Sequence, residues 1–126
     1  MMQNVFLVGI GGFIGSIMRY LVTIWSDSLF QEISFPLGTL IANISGCLVL
    51  GFLNGWAESH QFFTAQIRLF MFVGILGSYT TFSTFSYETV KMMQNGDSFQ
   101  AMMNITLQVI IGLFAAFIGF QIACKA

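Results

Sequence analysis

Phe82 and Phe85 stand three residues apart inside GILGSYTTFSTFS, Gly74 to Ser86, so on a helix their rings face the same way. Thr81, Thr84 and Glu88 form the adjoining face, and the segment holds six serine and threonine side chains. A phenyl ring has a negative face and a positive edge. Two edges turned toward a narrow path attract a small anion more weakly than a lysine does, and conduction depends on that weakness. The same residues also read as packing, with the rings filling core and Ser83, Thr84 and Ser86 bonding back to their own helix.

Two further sets share a helical face. Thr39, Asn43 and Gly46 recur at spacings of four and three, and Asn104, Gln108 and Gly112 recur every four residues. Each is a neutral polar stripe on an apolar helix. Amides so placed either glue helices together or line a polar path, and for Asn43 the hydroxyls of Gly74–Ser86 favour the path. Gly74, Gly77 and Ser78 precede Tyr79-Thr80-Thr81. A helix interrupted there frees main-chain groups, of which carbonyls suit a hard monovalent cation, while N–H groups and hydroxyls suit an anion.

The elements that must position these groups are membrane helices. The 126 residues are 56% hydrophobic and 7% charged, where soluble domains carry about 25% charge. Apolar runs at about 4–25, 36–57, 66–93 and 99–124 each approach or exceed the roughly 20 residues that cross hydrocarbon. The expected fold is a single all-α membrane domain of four transmembrane helices, the third broken mid-membrane. A loosened backbone survives in lipid only where it is buried in protein or lines a wet cavity. The first run lacks a basic leader and a cleavage site, so it reads as a retained span. Cys47 and Cys124 read as small packing residues.

Alternating spans put Arg68 and Lys125 on one side and Arg19 and Lys91 on the other. This balance removes the asymmetry that sets orientation, so insertion both ways is expected. The small-residue pairs Gly11 with Gly15, Gly51 with Gly55 and Gly112 with Ala116 suggest further helix contacts. Opposite insertion followed by pairing yields an antiparallel dual-topology homodimer. Arg19 lies about six residues, or roughly 9 Å of rise, inside its span. It either draws anions into a vestibule or snorkels to the interface. Glu88, about two turns past the break, also falls near a vestibule. There it repels anions unless protonated or paired with Lys91.

GGFIGSIMRY at Gly11–Tyr20, GTLIANISG at Gly38–Gly46 and GILGSYTTFSTFS together resemble the three signature blocks of the Fluc (CrcB) fluoride channels of microbes, in the same order. The resemblance covers essentially the whole chain. It implies an antiparallel dimer with two fluoride pores, each built from both subunits. Phe82 and Phe85 match the paired pore phenylalanines and Asn43 the asparagine beside the fluoride path. Gly77 and Thr80 match the residues whose carbonyls, two from each subunit, hold a structural Na⁺ that is not transported. Thr39, Ser83 and Thr84 are further pore positions. The chain departs from the pattern at Ser78, where many members have glycine, and at Gln108 and Gly112, where relatives often place hydroxyl or other polar residues. Gln108 replaces part of that track in this reading, and is grouped with Arg19 and Glu88 toward the vestibule.

Other classes lack their residues. His60 is the only histidine, no cluster of His, Cys or carboxylates has ligand spacing, and no nucleophile has a recognisable base, so an enzyme is not expected. Four Lys and Arg cannot form a nucleic-acid footprint. What the resemblance implies is a passive channel in the cytoplasmic membrane that lowers intracellular fluoride and its toxicity. Two alternatives stay open. A small dual-topology proton-coupled multidrug antiporter would need a deep carboxylate, which span one lacks. A non-conducting membrane scaffold would leave the hydroxyl run unexplained.

Overall fold

Apolar sequence of this length, with polar punctuation only at the turns, folds as long helices because a backbone in lipid must satisfy its own hydrogen bonds. The computed structural model describes residues 1–60 and 63–125, and nearly all of them are helical. Helix α1 is Met2–Leu29, and α2, Leu37–His60, begins immediately after Pro36, whose carbonyl accepts Leu40 N–H at 3.2 Å. Residues 65–79 form α3, capped by Thr64 Oγ1, which accepts Ile67 N–H at 3.3 Å. Helix α4 is Phe82–Gln94, and α5 fills Ser98–Lys125. Gly96, at φ 85°, closes α4: Gly96 N–H bonds Met93 O and Asp97 N–H bonds Met92 O. Glycine enters that left-handed turn without steric cost.

Among the described residues, four helical stretches, α1, α2, α3 with α4 (Ala65–Gln94), and α5, are long and apolar enough to cross a membrane. Their outer faces carry exposed Phe6, Phe13, Trp25, Phe99, Phe114 and Phe117. The buried positions are mostly small: glycines 11, 15, 51, 55, 112 and 119 and alanines 42, 57, 101, 115 and 123. Small side chains let backbones touch, which in lipid replaces the hydrophobic drive.

The small-residue pairs work within this chain. A Cβ on Gly11 would stand 2.6 Å from Phe70 O and 2.9 Å from Gly74 Cα, so α1 lies backbone to backbone on α3. On the other side, Gly51 abuts Ala116, and Gly55 would bring a Cβ within 2.7 Å of Phe120 O. The long seam of α2 with α5 consumes Gly51, Gly55 and Ala116; Gly112 faces Cys47 Sγ. Two stretches widen into π-helical turns, Leu69–Leu76 in α3 and Leu107–Ile111 in α5. Such turns recur near functional sites, and both of these border the cavity described next.

Candidate functional site

Between α3 and α4 the chain leaves the helix for two residues. Thr80 N–H still bonds Leu76 O at 3.1 Å, but Thr80 (φ −84°, ψ 153°) and Thr81 (φ −148°, ψ 119°) are extended. Asn43 of α2 takes the place of the missing helix partners: its Oδ1 accepts Thr81 N–H at 2.8 Å, and its Nδ2 donates to Thr81 O at 3.1 Å. The second Nδ2 hydrogen goes to Gln108 Oε1 at 2.9 Å. Asn43 therefore ties α2, the interruption and α5 together. Thr81 then starts α4, its Oγ1 accepting Thr84 N–H at 3.3 Å as an N-cap.

These diversions leave carbonyls behind. With Thr81 N–H turned to Asn43 and Thr84 N–H turned to the Thr81 hydroxyl, Gly77 O and Thr80 O lose the donors of a continuous helix. Gly77 and Thr80 both line an open cavity of about 300 Å³, together with Asn43, Phe82, Phe85 and Gln108. Main-chain oxygens freed in this way are the donor chemistry an alkali cation takes. The pair fits Na⁺ in kind, although two oxygens are only part of a shell.

The rings of Phe82 and Phe85 lie 5.6 Å apart between centroids and 55° between planes. Phe82 is 79% exposed, whereas Phe85 is half-buried. An aromatic with so much bare surface beside a polar break is not core packing within this chain.

A second cavity, of about 310 Å³, brings together Arg19, Thr39, Thr84 and Glu88, with Thr81 in the wall of both. Thr39 Oγ1 donates to Glu88 Oε1 at 2.7 Å, and Glu88 Oε2 is buried without a partner among the described residues. Ser83 is exposed and meets the Thr81 hydroxyl at 3.3 Å. Gln108, grouped by sequence with Arg19 and Glu88, lies instead with Asn43 and the phenylalanines. Helix periodicity gives a residue its face but not the neighbour opposite, and here α5 turns Gln108 to Asn43. Sequence reasoning put Thr81 on the face beside the rings but gave it no role, whereas it borders both cavities and anchors to Asn43. Its signal was available: a hydroxyl three residues before Thr84 at the start of a helix is N-cap spacing.

Four long apolar helices with a polar interruption held by side-chain amides define a multi-pass helical membrane protein. The chain belongs to the CrcB-like protein, Camphor Resistance (CrcB) family, whose model matches residues 6–120. It is 43% identical over 118 residues to the fluoride-specific ion channel FluC of Dehalococcoides mccartyi, covering 94% of this chain and 90% of the relative. Against fluoride-specific ion channel FluC 1 of Methanosarcina acetivorans it is 39% identical over 118 residues, 94% and 88% of the two chains. The Clostridium perfringens FluC is 42% identical over 117 residues, 93% and 91%.

Proposed function

We propose that this protein is a fluoride-specific ion channel, not an enzyme, and that it lets cytoplasmic fluoride leave the cell passively. The relatives' names supply the ion. The observation that carries the local reading is the Thr80–Thr81 interruption, pinned by Asn43 beside the Phe82 and Phe85 rings. The antiporter and scaffold alternatives have no comparable support.

The anion path in this reading runs along the cavity of Asn43, Phe82, Phe85 and Gln108. Ring edges supply weak attraction and amide N–H groups supply donors. Asn43 has both Nδ2 hydrogens engaged by protein acceptors, whereas Gln108 Nε2 is buried with no partner among the described residues. Gln108 Nε2 is therefore the amide donor left without a partner, shut off from the cavity surface in a single chain, and Asn43 sets its orientation. Thr39, Ser83 and Thr84 extend the polar lining toward the vestibule of Arg19 and Glu88. There the Arg19 charge raises local anion concentration, and Thr39 holds the Glu88 carboxylate.

The working unit we propose is an antiparallel dual-topology homodimer with the interruption at mid-membrane. The cavity beside Phe82 is open in a single chain, and a second copy supplies its other wall. Four carbonyls, from Gly77 and Thr80 of each copy, would hold a structural Na⁺ that offsets their mutual repulsion in a low-dielectric site. We place the dimer in the cytoplasmic membrane. An inside-negative potential of about 100 mV drives a monovalent anion outward with roughly 2.3 kcal/mol, so no fuel is needed.

Reconstitution into fluoride-loaded liposomes, read with a fluoride electrode, tests the ion and the autonomy of the chain together. Rapid efflux carried by this chain alone is expected. Efflux no faster than from empty liposomes removes the proposal.

A further inference from the structure

Asn104 is the largest side chain wholly shut off from solvent among the described residues. A buried carboxamide is costly unless it is bonded. Its Nδ2 donates to Thr89 Oγ1 at 3.0 Å, while Oδ1 finds no partner among the described residues. Thr89, 5% exposed, passes the interaction on: its one hydroxyl proton goes to the Phe85 carbonyl oxygen at 2.8 Å. A hydroxyl has one donor and two acceptor sites, so accepting from Asn104 and donating to Phe85 O are compatible. The chain of bonds runs from α5 to the first turn of α4.

The same α5 stripe acts at the other end of that turn. Gln108 lies four residues after Asn104 on the same face. Through Asn43 it reaches Thr81, the residue just before Phe82. The turn that bears both rings is thus held before Phe82 by one amide and at Phe85 by the other.

We infer that Asn104 is a positioning residue for the anion path, fixing the height and rotation of Phe85 through Thr89. This rests on the channel reading above. The bond from Thr89 to Phe85 O is by itself the back-bond that a helical hydroxyl makes to the carbonyl four residues earlier. What is particular is that buried Asn104 reaches across from α5 to hold that hydroxyl, one turn from a residue whose ring borders the cavity, and so complements the hold at Thr81.

The test compares full-length wild type, Thr89→Val, Thr89→Ser and Asn104→Leu, with para-fluorophenylalanine placed at position 85 only in the samples used for fluorine NMR, so that flux is read on unlabelled rings. Fluoride efflux, the fluorine NMR resonance of that ring and the melting temperature are recorded for each. Thr89→Val keeps the side-chain shape but removes the hydroxyl. It and Asn104→Leu should lower flux about tenfold, in keeping with the loss of one buried hydrogen bond. Both should also displace the ring resonance, and Thr89→Ser should restore wild-type flux and resonance. Folded Thr89→Val with unchanged flux and resonance overturns the inference, and so does Thr89→Ser as impaired as Thr89→Val, which would make the methyl rather than the hydroxyl responsible. Should Asn104→Leu fail to fold, the two Thr89 variants decide alone. A wild type that conducts no fluoride defeats the channel reading instead, and the resonance still reports on the relay.

Discussion

The two halves of the α2–α5 pair solve opposite problems with the same pair of helices. Toward the C-terminal end of both, Gly51, Gly55, Ala116 and Gly119 bring the backbones into contact and leave no space. Toward the N-terminal end of both, Asn43 and Gln108 keep the helices linked by a 2.9 Å hydrogen bond, with the extended Thr80 and Thr81 beside them. One half is closed by van der Waals contact and tolerates no added atom. The other is held by directional bonds, which keep groups at fixed separation without filling the space between them. A cavity can exist only in the second half, and that is where it lies. Close packing provides stability; amide bonding provides a defined opening.

That contrast breaks most sharply at the glycine seam. A Cβ at Gly119 would stand 2.8 Å from Phe52 N and closer still to the Leu48 carbonyl oxygen. Both are main-chain atoms that cannot step aside. Gly119→Val should therefore abolish the folded chain, with overpacking of about 3 kcal/mol or more, read as loss of monodisperse protein after detergent extraction. Asn43→Leu attacks the polar half. It leaves the Thr81 N–H and C=O without partners, at about 1–3 kcal/mol each, so melting should fall clearly and fluoride flux should vanish in whatever protein folds. A third change leaves both halves folded: Phe82→Ile or Phe85→Ile keeps apolar volume but removes the positive ring edge. Flux should drop about tenfold or more with melting nearly unchanged, and wild-type flux in both variants would return the rings to a packing role. The smallest effect sharpens the comparison by showing which glycines matter. A Cβ added at Gly9 would meet nothing within 4 Å, so Gly9→Ala should keep flux and raise stability by about 0.5–1 kcal/mol, measured by thermal unfolding.

Much of the architecture was legible because the solvent is so demanding. Lipid forces each apolar run of about 20 residues into a helix, so the four long helices follow from hydropathy alone. Gly74, Gly77 and the hydroxyl run marked a weak stretch of helix, and Thr80 and Thr81 are extended. The partners were not legible. Gly11, Gly15, Gly51 and Gly55 announce further helix contacts without naming the partner. The structure uses them against α3 and α5 of the same chain. Gln108 shows the same limit, since its stripe was clear but its bond to Asn43 was not.

Residue types and their spacing by themselves determined a membrane protein of four long helices, a polar segment in the third and the family to which the chain belongs. Those properties depend on local hydropathy and on contiguous motifs, which a linear string contains. Tertiary structure alone decided that Asn43 pairs with Thr81 and Gln108, that Thr81 divides the cavity of the phenylalanines from that of Arg19 and Glu88, and that Asn104 reaches Phe85 through Thr89. Hydrogen bonds act over about 3 Å and only within narrow angles, so which donor meets which acceptor is set by the rotation and height of packed helices, quantities that no spacing along one helix encodes.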